Sequence, residues 1–251
     1  MASESRCNGL RRAALTDDDS DTLRRIYASD QEMYPAPLTF DRLASWVATC
    51  PELSISFSPE SSSSEGHVVG MVIALPLLRE HWQDLLVGKL KEPEVELSMF
   101  PQPNNNFRPD TGHSVESEVG LHVFHIERFN SDTLPSSWFG GRGFAEYALQ
   151  EVIAVATRKE WRIIGFSALT VTEAGRRSFG RLGFKPTGYQ EVFTTAEGGD
   201  DDRGDARVEM ACVYPGDGLE LDVREGSKVV SVSEMLAKYL PEGRTEGQLW
   251  E

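Results

Sequence analysis

Three stretches of this chain hold the residue types best suited to chemistry. The first is Gly140-Gly141-Arg142-Gly143-Phe144-Ala145, between a predicted strand and a predicted helix. Small residues there let backbone N–H groups at a helix start come close to a phosphate, whose negative charge the helix dipole favours. Glycine spacing alone also fits a flexible loop ahead of a helix. A P-loop is excluded, because no Gly-Lys-Ser/Thr follows the glycines, and no dinucleotide fingerprint stands after the first strand. The second stretch is a predicted strand that carries His122, His125 and Glu127. Histidine suits proton transfer near neutral pH, and a carboxylate near a strand end can act as a base through water. Strict alternation puts His125 and Glu127 on the face opposite His122 unless a bulge intervenes, so the three are not expected to serve one site. Hydrogen-bonded strand histidines and an ion pair of Glu127 with Arg128 are the duller roles. The third stretch, Met33, Tyr34, Pro35 and Leu38, places aromatic and apolar side chains in a loop between two helices, where packing against a sheet explains them equally well. No H-x-x-x-H or C-x-x-C spacing implies a metal.

The elements that must position these residues follow from periodicity. Leu10 to Leu15 reads as a strand. Leu23, Ile26 and Tyr27 recur at helical spacing, and two prolines in Met33 to Pro37 separate that helix from one carrying Phe40, Leu43, Ala44 and Val47. Leu53 to Phe57 alternates as a strand, and after a polar turn from Pro59 to Gly66 a partly buried strand runs from His67 to Leu75. Residues 77–117 break the pattern as an insertion or lid, with a short amphipathic helix at Trp82, Leu85, Leu86 and Leu90 and a Pro/Asn-rich run at 101–109. Val119 to Phe129 is the best central strand. A helix over Phe144 to Lys159, a strand at Arg162 to Ser167 and a helix from Thr172 to Leu182, stopped by Gly183, follow. Strands near Tyr189 to Thr195 and Arg207 to Tyr214 flank an acidic turn at 198–202, and Ser233 to Tyr239 reads as a helix in a tail.

At 251 residues with 39% hydrophobic content, the chain is long enough for one large core. Lys+Arg 25 against Asp+Glu 40 leaves a formal charge of −15, which argues against a nucleic-acid partner. Three widely spaced cysteines, Cys7, Cys50 and Cys212, make neither a disulfide framework nor a metal knuckle, and no apolar run has the length of a signal peptide or membrane span. A soluble cytoplasmic protein with no membrane partner is expected, as monomer or homodimer.

Thr172-Glu-Ala-Gly-Arg-Arg-Ser-Phe179-Gly-Arg-Leu-Gly183-Phe184 resembles a helix of the GNAT superfamily of acyl-CoA-dependent N-acyltransferases, which reads Asn-x-x-Ala-x-x-x-Tyr-x-x-x-Gly-Phe. Gly143 and Ala145 resemble the last two small positions of that family's Gln/Arg-x-x-Gly-x-Gly/Ala pyrophosphate loop, with Gly140 where Gln or Arg is usual; a register on Gly141 and Gly143 is the alternative. Cys50-Pro-Glu-Leu-Ser54, Val69 to Ile73 and Leu121-His-Val-Phe124 are similar to strands of the arylalkylamine (serotonin) N-acetyltransferases within it.

The resemblance implies a GNAT-like α/β (mixed α+β) domain over residues 8–215, a twisted mixed sheet of about seven strands with helices on both faces, and a C-terminal extension over 216–251. It implies acetyl-CoA as co-substrate, held by Gly140 to Ala145 where the central strand parts from its neighbour, and no metal. The partner implied is a small-molecule primary amine of arylalkyl type, bound at Met33, Tyr34, Pro35 and Leu38, with His122 and Glu127 handling protons. Two departures stand out: Gly120 replaces one histidine of the family's relay pair, and Phe179 replaces the tyrosine that protonates the CoA sulfur. Phe179 and Gly140 favour a rival, a catalytically weak CoA-binding or interaction protein. An acetyltransferase of protein amines is a third reading, weakened if the insertion covers the acceptor groove.

Overall fold

Alternation along the central strands sets the layering. In β3 (Gly70–Leu78), Val72 and Ala74 join one buried cluster, while Met71, Ile73, Leu75 and Leu77 join another on the opposite face. The computed structural model describes residues 9–16, 20–34, 38–60, 68–102, 117–129, 136–159, 161–196, 208–216 and 227–240. The second cluster is closed by α1 (Ser20–Met33), α2 (Phe40–Thr49) and α3 (Arg79–Leu86). The first is closed by α4 (Phe144–Thr157) and α5 (Glu173–Arg181), so helices cover both faces.

The sheet has eight described strands, one more than the seven expected. Its order is β1 (Leu10–Ala14), β2 (Ser54–Pro59), β3, β4 (Glu118–Arg128), β5 (Arg162–Thr170), β8 (Ser227–Tyr239), β6 (Lys185–Ala196) and β7 (Val208–Val213). Only β4 and β5 pair in parallel; the other neighbours are antiparallel. The mixed α/β architecture is the one expected.

The extra strand corrects two expectations. The helix expected over Ser233 to Tyr239 is the second half of β8, and the tail drawn from residue 216 supplies an internal strand of the sheet. Glu234, Met235, Leu236, Ala237 and Lys238 are good helix formers, but β5 and β6 flank them on both sides and take their backbone bonds. Met235, Leu236 and Ala237 go alternately to the two clusters, a period of two that tertiary pairing imposes.

The described part of the insertion, residues 77–102, is not a lid. Trp82, Leu85, Leu86, Val95 and Phe100 are all buried in the α1–α3 cluster. The reason lies in Gly120 and Gly165, which face each other across β4 and β5. A Cβ on either would overlap the Trp82 ring, so the two glycines form the slot into which α3 docks. The indole then donates from Nε1 to Ser167 Oγ at 2.9 Å. Most of the Pro/Asn-rich run, the polar turn after Glu60 and the acidic turn at 198–202 lie outside the described residues.

Candidate functional site

The parallel pairing of β4 with β5 begins at Glu118 and Arg162 and ends at His122 and Ser167. Beyond that point β4 stays with β3 and β5 stays with β8, so the two strands part like a fork. Two adjoining cavities occupy the opening. One of about 670 Å³ is lined by Gly143, Phe144, Ala145, Ser178 and Arg181. The other, about 300 Å³, is lined by Asp30, Met33, Phe124, His125 and Leu169. Ile126, Glu127, Thr172, Gly175 and Phe179 line both.

The larger cavity meets the start of α4. Gly143 is its N-cap and offers no side chain to the first N–H groups of the helix, so these donors have no side-chain cap. Arg128 and Arg181 add cationic lining. Of the predicted phosphate loop, Gly143, Phe144 and Ala145 line this cavity, whereas Gly140, Gly141 and Arg142 do not. Gly140 and Gly141 turn the chain through the left-handed region at φ 63° and 79°, conformations that glycine tolerates. Arg142 turns back along α4, donating to Gln150 Oε1 at 2.6 Å and pairing with Glu146 at 3.4 Å.

Around the smaller cavity a bulge changes the reading of β4. Ile73 pairs with His125 and Ala74 with Val123, which leaves Phe124 as the extra residue. His122 opposite Leu75, His125 opposite Ile73 and Glu127 opposite Met71 therefore all fall on the α1–α3 face. The expectation of opposite faces fails for that reason. Asp30 of α1 joins them. Burial first, then the nearby Glu92 carboxylate, pushes the Asp30 carboxyl up to about 7, against an opposing pull from His125. Neither Asp30 Oδ2 nor His125 Nε2 has a hydrogen-bond partner, although both are buried. Glu127 Oε2 lies 3.3 Å from His125 Nε2. Glu127 also borders a third cavity of about 340 Å³ with Glu32, Arg25 and Phe129, and so lines all three.

His122, expected to be catalytic, is fully buried and lines none of these cavities. Its ring stands 2.9 Å from Ser167 Oγ through Nδ1 and 2.7 Å from Glu92 Oε2 through Nε2. Burial drives its pKa down to about 3, while burial and Glu191 drive that of Glu92 well up. Both directions favour an uncharged pair, with the Glu92 hydroxyl donating to Nε2 and Nδ1–H donating to Ser167. This makes His122 a core tie for the insertion. Below it Glu191 accepts from the Tyr34 and Tyr189 hydroxyls, and Lys91 Nζ donates to the latter at 2.7 Å.

Of the four residues expected in an acceptor pocket, only Met33 lines a cavity. Tyr34 is buried against Phe193 with ring centres 5.0 Å apart, Leu38 belongs to the core, and Pro35 lies outside the described residues. Phe179 lines both cavities because of how α5 ends. Gly183, at φ 85°, donates to the Gly180 carbonyl and Phe184 N–H to the Phe179 carbonyl, a Schellman stop that clasps the two phenyl rings 4.9 Å apart. Asp30 and Glu92 are left out by pattern reading, which names His125 only as a strand histidine and Trp82 only as part of an amphipathic helix. Mid-strand Gly120 is the one sequence signal for any of them, since it marks a close approach.

Among the described residues no group of three or more His, Cys, Asp or Glu could hold a metal ion, and no helix is long and apolar enough to cross a membrane. No protein-family model and no curated protein matches the chain. Solved structures align over most of its length. Arabidopsis thaliana NAA60 in complex with acetyl-CoA is 13% identical with a TM-score of 0.46, over 92% of this chain and 99% of that one. A mosquito arylalkylamine N-acetyltransferase like 5b is 13% identical with a TM-score of 0.43, over 92% and 100%. Arabidopsis thaliana Naa50 with the bisubstrate analogue CoA-Ac-MVNAL is 7% identical with a TM-score of 0.43, over 92% and 99%. Likeness at this level assigns neither substrate nor mechanism.

Proposed function

We propose that the protein is an acetyl-CoA-dependent N-acetyltransferase whose acceptor is a small primary amine with an apolar or aromatic body. One observation carries this reading: two cavities meet where β4 and β5 part, one at the bare start of α4 and the other acidic and apolar. The larger offers the uncapped N-terminus of α4, the donors that a pyrophosphate takes, with Arg128 and Arg181 set against Glu127 and Glu146 in its lining. The smaller offers Asp30 and Glu127 beside Met33, Phe124 and Leu169, with no lysine or arginine in its lining. That combination attracts an ammonium and shelters an apolar body. Past His122, the β4 and β5 edges that face each other no longer pair, so backbone N–H and C=O groups become available to an extended acyl carrier at the junction.

Transfer requires the amine to lose its proton, attack the thioester carbonyl and expel a thiolate. Glu127, shared by both cavities, is placed to hold the incoming ammonium at their junction. The test is thiol release from acetyl-CoA against tryptamine, serotonin, phenethylamine, spermidine and lysine, with CoA-induced thermal stabilisation measured in parallel. Turnover fastest with the arylalkylamines is expected. A second reading, CoA binding without turnover, draws on Phe179, which offers no hydroxyl at the shared wall; thermal stabilisation with no amine consumed would select it.

A further inference from the structure

We propose that His125, oriented by Asp30, is the single proton carrier of the reaction: it takes the proton from the acceptor amine and returns it to the CoA sulfur. The proposal rests on the transferase reading and adds to it the group that does the work Phe179 cannot do. Three observations lead to it. His125 Nε2 and Asp30 Oδ2 are buried without hydrogen-bond partners, although unpaired buried polar atoms are costly, and both residues line the same cavity. The bulge at Phe124 is what brings His125 onto the cavity's face of the sheet, and bulges commonly re-aim a side chain beside a site. Phe179 lines both cavities with a ring clasped to Phe184 and has no hydroxyl to donate, while Thr172, which shares that wall, uses its Oγ1 to cap α5.

The bound ammonium first gives one proton to water in the cavity, and the remaining steps then close without any further reagent. The lone pair of the neutral amine forms the C–N bond as the carbonyl π electrons move to oxygen, and the nitrogen's next proton passes to His125 Nε2. The oxyanion then restores C=O and breaks the C–S bond, and the imidazolium gives the same proton to the departing sulfur. Amide and free CoA thiol leave, and His125 is neutral again. The titratable groups around the imidazole are Asp30 from α1 and Glu127 from its own strand, while Glu92, in the 3-10 turn at Glu92–Glu94, is held uncharged against His122. An ionised Asp30 stabilises the imidazolium, which makes it a positioning residue.

Four variants test this, with the wild type first shown to turn over an amine. His125→Ala should lower kcat by about 10²–10⁴-fold while the CoA thermal shift stays unchanged. Added imidazole should restore part of that kcat, which a purely structural role for His125 would not allow. Asp30→Asn should lower kcat less and move the acidic limb of the kcat/KM profile. Phe179→Tyr should partly rescue kcat in the His125→Gln protein by supplying a second acid. A folded His125→Ala protein that keeps kcat within tenfold, or gains nothing from imidazole, overturns the proposal and leaves the transferase reading standing. A wild type that neither binds CoA nor consumes an amine overturns the transferase reading itself.

Discussion

The two ends of the β4–β5 fork treat polar side chains in opposite ways. At the closed end His122, Glu92, Ser167 and Trp82 satisfy one another in full burial. Only three residues along β4, at the open end, His125 and Asp30 keep polar atoms without hydrogen-bond partners beside a cavity, His125 Nε2 lying 3.3 Å from Glu127 Oε2. Both ends hold a histidine and a carboxylate, so residue type does not separate structure from chemistry. What separates them is whether the neighbouring strand is still paired. A paired strand lets glycines and a docked indole fill the space, whereas a parted strand leaves a cavity lined by polar atoms without hydrogen bonds.

The sharpest break in this contrast is Trp82→Ala. It opens a void over Gly120 and Gly165 and removes the donor to Ser167, so a loss of about 3–5 kcal/mol is expected, with a fall in Tm on the order of 10 °C. The CoA thermal shift should survive, because Trp82 lines none of the cavities. Next, His122→Ala should cost ~1–3 kcal/mol by stranding Glu92 and Ser167. Glu92→Gln tells the charge state of the pair. An uncharged pair keeps its hydrogen bond through the amide and loses under about 1 kcal/mol. An ion pair would leave a buried imidazolium alone and lose ~3–5 kcal/mol. Denaturant midpoints of the two variants decide between these outcomes.

Much of the fold is legible in the sequence because burial writes a period. The β2–β3 hairpin, the central strand, α4 and the α5 stop at Gly183 all follow from alternation, helical spacing or a glycine. β8 is not legible, since Ser233-Glu-Met-Leu-Ala-Lys-Tyr239 is composed for a helix and only its two strand neighbours decide otherwise. The bulge at Phe124 carries no glycine or proline to announce it, and one extra residue there moves His125 and Glu127 to the other face. Glu92 lies in Lys-Leu-Lys-Glu-Pro-Glu-Val-Glu, where nothing local marks one acid of three as the buried one. The anion end of the site is readable from Gly143 and Ala145. The end proposed to handle protons depends on long-range packing: the sequence points to His122, which lines none of the cavities described, whereas His125 lines one.

Asp30→Asn probes the open end through stability. The folded-state pKa of Asp30 lies near 7 against 3.8 for the free side chain, so between those values the folded protein holds a proton that the unfolded chain has lost. Its contribution is greatest below about pH 4 and is lost as the pH rises to about 7. Asparagine has no such dependence. Relative to wild type the variant should gain up to about 4 kcal/mol across that window and level off above it. A difference in Tm that stays flat from pH 4 to 8 would mean that Asp30 is ionised and well solvated in the folded protein.

The smallest effects compare the two helix starts that face the larger cavity. α5 is capped: Thr172 Oγ1 accepts from Gly175 N–H at 3.0 Å. α4 begins at Gly143 with no side-chain cap, and a Cβ there would meet nothing within 4 Å. Thr172→Ala should therefore cost ~1 kcal/mol, because it orphans a donor that already has its partner. Gly143→Asp should move the other way, raising stability by a few tenths of a kcal/mol as a carboxylate caps α4. That same carboxylate would sit where the pyrophosphate is proposed to bind, so the CoA thermal shift should disappear as Tm rises. Stabilisation together with lost binding is the signature of donors left open for an anion. If CoA binds Gly143→Asp as tightly as wild type, the anion site lies elsewhere on the fork, and the bare start of α4 is only a gap in capping.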